Sequence, residues 1–144
     1  MIHLSGVETF PAAPGVVSAK LSDAGFLAAN LPDTVAVEST PDRAVWKVRP
    51  KVAFLSGELE TVAVVTERGP EHAKYHLDTK GVGSASVVEA ELKFAAGEGE
   101  TTTVTWSGNV VSMSGLLKLA PKGLVQATAQ KVIADCWAAL KAKV

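Results

Sequence analysis

Side chains suited to catalysis are few in this sequence, and their spacing matches no known catalytic group. The three histidines, His3, His72 and His76, do not lie near a serine or cysteine in a recognisable nucleophile motif. His72 and His76 are four residues apart in a segment of alternating polarity, which predicts one solvent-facing side of a β-strand. Neither an HExxH nor a CxxC motif occurs. The sequence therefore predicts no catalytic residues, no metal site and no cofactor.

Two further polar side chains are expected to point into the protein. Cys136, the only cysteine, falls on the apolar side of a predicted helix and is interpreted as a small core residue rather than a reactive thiol. Tyr75 falls on the inward side of a predicted strand. Its hydroxyl is expected either to orient a ligand carbonyl or to hydrogen-bond the backbone. An enzymatic function would depend on Tyr75, because it is the one inward acid–base group that the pattern provides.

Length and composition exclude several classes of protein. The chain has 144 residues, 47% of them hydrophobic and 20% charged, which is enough for a buried core without disulfides. Its net charge of -1 does not favour nucleic-acid binding. The N-terminus has neither the charged start nor the long apolar stretch of a secretory signal. We therefore expect a single soluble domain, residues 1–144, in the cytoplasm.

The elements that position these residues follow from the period of the apolar residues. From Thr34 to Val111 the period is two, and turn residues divide the stretch into six segments, which predicts six consecutive strands. The opening segment, Met1–Phe10, adds a seventh strand. Two short helices are expected between them, one from Pro14 to Leu21 and one that is capped by Ser22 or Asp23 and ends at Pro32. Helical spacing returns from about Pro121 to Lys143.

This order predicts an α+β fold in which one long C-terminal helix covers a seven-stranded antiparallel curved sheet, with two short helices after the first strand. If Ser56-Gly57 is a two-residue hairpin turn, Leu55 lies opposite Glu58 and the register follows by counting. The face predicted to carry the core then comprises Trp46, Val48, Pro50, Val52, Phe54, Leu59, Thr61, Ala63, Val65, Tyr75, Leu77, Thr79, Val88, Ala90, Leu92, Phe94, Val104, Trp106, Gly108 and Val110.

Small residues on both predicted surfaces raise the question of a cavity. The centre of the helix stripe is small, with Ala129 and Val132 expected to point at Ala90 and Gly108. Since protein interiors are close-packed, this arrangement means either that the helix lies closer to the sheet or that a void remains. Larger apolar side chains at its rim favour a pocket for a ligand. The residues expected to line it are Trp46, Val48, Tyr75, Leu77, Ala90, Leu92, Trp106, Gly108, Ala129, Val132 and Cys136.

Several motifs, in this order, resemble one known family. They are the opening LSGVETF, the A-x-P-x-x-V pattern at Ala12–Val17, LSDAGFLAANLPD at Leu21–Asp33, the hairpin VWKVRPKVAFLSGELE and the ending GLLKLAPKGLVQATAQKVIADCWAAL. Over about residues 2–143 the chain resembles the G-subunit family of carbon monoxide dehydrogenase, within the START-like and polyketide-cyclase-like helix-grip superfamily. A tryptophan usual in the family after the first helix's valine is replaced here by Ser18 or Ala19.

The resemblance implies a helix-grip fold and a non-enzymatic binder or carrier of an apolar, lipid- or quinone-like molecule in the cavity between sheet and helix. It also implies a role beside a molybdenum hydroxylase of the carbon monoxide dehydrogenase type, with at most a peripheral contact with a membrane. Two alternatives stay open at this point. One is a cyclase- or hydrolase-type enzyme of the same superfamily, and the other is a protein-assembly factor with a filled core.

Overall fold

The computed structural model describes residues 2–49, 57–81, 83–119 and 121–144. Seven strands and four helices are formed within these ranges. In chain order they are β1 (His3–Phe10), α1 (Pro14–Leu21), α2 (Ala24–Asn30), β2 (Thr34–Ser39), β3 (Arg43–Val48), β4 (Leu59–Arg68), β5 (His72–Gly81), β6 (Ser84–Ala96), β7 (Thr102–Gly115), α3 (Leu116–Leu119) and α4 (Lys122–Lys141). The predicted α+β class and element order are confirmed, and the four-residue α3 is an addition.

The strands form one antiparallel sheet in the order β1-β7-β6-β5-β4-β3-β2. Strands β2 to β7 make a meander, and β1 closes the other edge beside β7. This sheet is the seven-stranded curved sheet that the period-two segments predict.

The predicted register between β3 and β4 is wrong. Counting from a turn at Ser56-Gly57 places Trp46 opposite Glu67, whereas the structure pairs Trp46 with Thr61, six residues earlier. Because six is an even number, the described residues of β3, and those of β4 up to Val65, keep their predicted faces. The predicted inward positions Pro50, Val52 and Phe54, and the turn residue Ser56, lie outside the described residues.

The two short helices are held where local chemistry requires. Pro14 opens α1, where its missing N–H costs nothing. Asp23 caps α2, since its carboxylate accepts hydrogen bonds from the backbone N–H groups of Gly25 at 2.8 Å and Phe26 at 3.3 Å. Together the helices bury Val17, Leu21 and other apolar residues in the main core, which covers one end of the inner face of the sheet.

Helix α4 lies along β1 and touches α2. Its C-terminal half is fixed to the main core by Trp137 and Leu140, which are both buried. Its N-terminal half belongs to a smaller apolar cluster, in which buried Val125 meets Ile2 and Leu4 of the β1 edge. The long helix is therefore anchored over the β1 side of the sheet.

Candidate functional site

The inner face of the sheet carries a patch of apolar side chains that the described residues do not fully cover. Leu77, Ala90 and Val88 lie on neighbouring positions of β5 and β6 and are only half-buried. Gly108 and Val110 continue these two rows on β7 and are also half-buried. Farther towards β1 and into the main core, Leu4 and Phe94 are almost completely buried. Above the central strands there is thus space that the described residues do not fill.

Gly108 gives the most direct measure of that space. A Cβ built on Gly108 would meet a single atom within 4 Å, Cγ1 of Val88 at 3.8 Å. Gly6, also on the inner face but on β1, is the opposite case. A Cβ there would lie 2.8 Å from the indole ring of Trp106, so the ring packs here only because residue 6 has no side chain. Apart from Val88, no described residue has an atom within 4 Å of the Cβ position at Gly108, so no described side chain of α4 packs directly on Gly108.

Aromatic rings close one end of this space. The ring centroids of Phe10 and Trp137 lie 5.8 Å apart in an edge-to-face arrangement, and those of Trp106 and Trp137 lie 6.1 Å apart. Beside them Lys141 Nζ lies 2.7 Å from a carboxylate oxygen of Glu8, an inward-facing acid that the sequence analysis did not single out. This pair joins the end of α4 to β1.

Tyr75 is a structural residue rather than a free polar group. Its hydroxyl donates a hydrogen bond to the carbonyl of Leu21 at 2.5 Å, and the side chain is 3% exposed. Burial raises the pKa of the Tyr75 phenol above its ordinary value. The backbone alternative is the one observed, and the bond holds the end of α1 against β5.

The other predicted cavity residues differ in how they are packed. Trp46 and Leu92 are buried in the main core, with Val48, Leu77, Ala90 and Trp106 packed against it, and Ala129 packs against the smaller cluster. Cys136 is half-buried on α4. Burial, with a smaller contribution from Asp135, raises the pKa of its thiol to about 11.

Val132 is the predicted residue that the structure does not bring into this group. Its side chain is 41% exposed, and the next residue, Ile133, takes the inward position in that turn. The packed stripe of α4 is Val125, Ala129, Ile133, Trp137 and Leu140. The exposure of Val132 and the inward place of Ile133 also argue against the expectation that Val132 points at Gly108.

Arg68 is an important residue that sequence reasoning missed. At the end of β4 its guanidinium donates to the carbonyl of Ser22 at 2.8 and 3.1 Å, to that of Pro41 at 2.8 Å, and to the carboxylate of Asp42 at 2.8 Å. These bonds tie the α1–α2 junction to the β2–β3 turn. In the sequence, only the position of Arg68 at a strand end points to this role, since its partners are 26 to 46 residues away.

The outward residues form charge pairs across strands. Lys47 and Arg49 both lie near Glu58, at 3.7 and 3.8 Å. His76 and Glu89 are 2.6 Å apart, as expected for a solvated strand face. Among the described residues, no three potential metal ligands come together.

Comparison with known proteins identifies the family. The model of the CoxG family, the G subunits of carbon monoxide dehydrogenase, matches residues 6–144. The chain belongs to the CoxG family. This match covers almost the whole chain and agrees with the resemblance that the motifs carry. A search of curated proteins finds no match.

Solved structures similar to this CoxG-family chain establish its fold as START-like. A conserved protein from Geobacillus kaustophilus superposes with a TM-score of 0.86 at 16% identity, covering 99% of this chain and 94% of that chain. A START superfamily protein from Mycobacterium smegmatis gives 0.74 at 13% identity, covering 99% and 96%. The Zhui aromatase/cyclase from Streptomyces sp. R1128 gives 0.68 at 15% identity, covering 99% and 92%. At these identities the likeness concerns the fold alone.

Within the described ranges, no helix is both long enough and apolar enough to cross a bilayer.

Proposed function

We propose that this CoxG-family protein is a non-enzymatic binder or carrier of an apolar small molecule, lipid- or quinone-like, held between the inner face of the sheet and α4. One observation carries the proposal: the half-buried apolar residues of β5 to β7 surround Gly108, where a Cβ would meet a single atom among the described residues. When a ligand covers apolar area that is partly exposed to water at the centre of a sheet, binding is favoured by about 25 cal/mol per Å2 of area buried.

The proposed wall is built from both elements. Val48, Leu77, Ala90 and Gly108 supply its sheet side, with Trp106 towards the aromatic end. Ala129 and Cys136 supply its helix side, and the exposed Val132 would lie at its margin. The larger residues Trp46, Tyr75 and Leu92 support the wall from the packed core.

The family name supports a partner as well. We propose that the protein serves a molybdenum-type carbon monoxide dehydrogenase complex in the cytoplasm, with at most peripheral membrane contact and no nucleic acid. The near-neutral charge of the chain is in keeping with the last point.

The two alternatives receive less support. An enzyme of the cyclase or hydrolase type would need an available inward acid or base, but the hydroxyl of Tyr75 is engaged by the Leu21 carbonyl and the carboxylate of Glu8 is paired with Lys141. An assembly factor with a filled core would need side chains over Gly108, where a Cβ has one neighbour.

Native mass spectrometry of protein purified without detergent tests the proposal. We expect a co-purified apolar species, or uptake of at least one probe among menadione, dodecanol and dodecanoate, with a rise in the melting midpoint because the ligand binds the native state. If the purified protein carries nothing and none of the three probes binds or shifts the midpoint, the binder assignment is wrong.

A further inference from the structure

One row of the inner face is polar, although the rows beside it are apolar. The register places Thr61 of β4 opposite Thr79 of β5, and Thr79 opposite Ser86 of β6. All three share the face of Trp46, which pairs with Thr61 on the other side. We call Thr61, Thr79 and Ser86 the hydroxyl row.

The hydroxyl row lies at one end of the proposed cavity. Leu77 and Val88 are two residues farther along β5 and β6, and Ala90 is four residues from Ser86. At about 3.3 Å per residue, four residues span about 13 Å. The aromatic end with Trp106 lies farther still in the same direction. The cavity therefore runs from an aromatic end, over an apolar middle, to a polar end.

The hydroxyl row has hydrogen-bonding capacity to spare. The Oγ1 atoms of Thr61 and Thr79 are 2.9 Å apart. Whichever of them donates, the pair uses one proton and keeps a second O–H for another acceptor. Thr61 is 6% exposed, whereas Thr79 and Ser86 are half-buried, so the spare capacity faces the open space at the latter two.

Next to this row lies a buried hydroxyl without a partner. Ser84, on the same face of β6 two residues from Ser86, is 8% exposed, and its Oγ has no hydrogen-bond partner among the described residues. A buried polar group without a partner is costly and is uncommon in native proteins. Because that oxygen has almost no accessible surface, Ser84 lies behind the polar end of the cavity rather than lining it.

The charge of the wall restricts what can bind there. Among the described residues on the inner face of strands β3 to β7, Arg68 is the only charged side chain. It lies at the opposite end of β4 from Thr61, and its guanidinium is already engaged by two carbonyls and a carboxylate. The charged inward pair, Glu8 and Lys141, is on β1 and α4 beside the aromatic end and is also matched. A carboxylate or phosphate at the hydroxyl row would lose hydration without meeting an opposite charge.

We infer that the hydroxyl row is the polar subsite of the cavity and that it selects ligands with an uncharged hydroxyl or carbonyl group at one end of an apolar body. This inference rests on the proposed function. The hydroxyl of Thr79 donates to such a group when Thr61 donates to Thr79, and otherwise it accepts from a ligand hydroxyl; Ser86 either donates or accepts beside it. Anionic ligands such as free fatty acids are disfavoured.

Calorimetric titration with three probes of one shape tests this. Naphthalene is apolar, β-naphthol adds a neutral hydroxyl, and β-naphthoate adds a charge. We expect β-naphthol to bind the natural protein about tenfold more tightly than naphthalene, as one well-placed hydrogen bond allows, and β-naphthoate to bind more weakly than β-naphthol. Thr79→Val, which keeps the side chain's shape, and Ser86→Ala should each reduce the preference for β-naphthol and leave the affinity for naphthalene unchanged.

Thr105→Val, on the exposed outer face of β7, is the matched control and should change nothing. Equal binding of naphthalene and β-naphthol, tighter binding of β-naphthoate, or unchanged preferences in both Thr79→Val and Ser86→Ala would overturn the subsite while leaving the proposed function standing. Failure of all three probes to bind the natural protein would also overturn the subsite, and the proposed function falls with it only if nothing co-purifies and menadione, dodecanol and dodecanoate fail to bind as well.

Discussion

Single residues decide where this protein is packed and where it is open. Gly6 and Gly108 lie on the same face of adjacent strands, yet the first is covered by the Trp106 ring and the second has open space above it. Neither glycine has a positive φ angle, so a side chain at either position is limited by space rather than by the backbone. The pair therefore makes an internal comparison of filled and unfilled positions.

Gly108→Val is expected to leave the free energy of unfolding within about 1 kcal/mol of the natural value, because the new side chain enters open space and valine suits a strand. Gly6→Val is expected to destabilise by about 1–3 kcal/mol or more, since its Cβ overlaps the indole of Trp106. Urea melts of both variants measure this. Similar large losses in both would mean that Gly108 is packed as tightly as Gly6.

Cys136 is expected to react slowly in the folded protein. With its pKa raised to about 11 by burial, the thiol is almost fully protonated at neutral pH, and the thiolate is the reactive form. The folded state keeps this proton to higher pH than the unfolded state does, so stability falls between about pH 9 and pH 11. Iodoacetamide labelling at pH 8 should be much slower than in urea, and the Cys136→Ala variant should lose less stability over that pH range.

Arg68 is expected to contribute more to the free energy of unfolding than its partial exposure indicates. Arg68→Ala removes hydrogen bonds to two carbonyls that are far apart in sequence, and we expect a loss of about 1–3 kcal/mol, the usual range for bonds with a charged partner. Arg43→Ala is the control, because Arg43 pairs with Glu38 on the exposed surface, where such pairs contribute about 0–1 kcal/mol. Equal effects in thermal or urea melts would show that Arg68 does not join the two turns.

At the scale of elements, helices and strands follow from local sequence, whereas their relative placement does not. The range of α1 matches its prediction, because Pro14 and the following apolar residues determine it locally. The predicted β3–β4 register differs from the observed one by six residues, because a turn dipeptide alone does not determine where a hairpin turns. The alternation nevertheless gives the correct face for the described residues of β3 and of β4 up to Val65. On α4 the period of 3.6 fits Val132 and Ile133 equally well. The contacts of Trp137 with Phe10 and Trp106 come from distant segments, and they favour Ile133.

The attachment of α4 is expected to depend on its C-terminal half. Trp137→Ala removes a buried ring that contacts Phe10 and Trp106, and we expect a loss of about 3–5 kcal/mol. Leu124→Ala, at a position that is largely exposed on the same helix, should change stability by less than about 1 kcal/mol. Equal losses in denaturant melts would mean that the helix is held along its whole length.

At the scale of the whole molecule, the sequence is sufficient for the fold but not for the site. Alternation, turn residues and the order of family motifs together predict the helix grip, and the family match over residues 6–144 agrees. The predicted cavity residues of the sheet follow from counting inward positions, and their inward face agrees with the observed register. The open space above Gly108 depends on how far α4 lies from the sheet, and the polar row of Thr61, Thr79 and Ser86 becomes visible only when three registers are known.

The central claim is that an apolar molecule occupies the space between the sheet and α4, and tryptophan fluorescence tests it directly. All three tryptophans, Trp46, Trp106 and Trp137, lie on the inner face or on the helix side that packs against it, where a bound quinone would quench them. We predict saturable quenching by menadione in the natural protein. Gly108→Val should weaken it by at least about tenfold, or ~1.4 kcal/mol, while Ser107→Val, on the opposite face of β7, should not. Absence of saturable quenching, or equal quenching in Gly108→Val with its fold intact, would contradict the account.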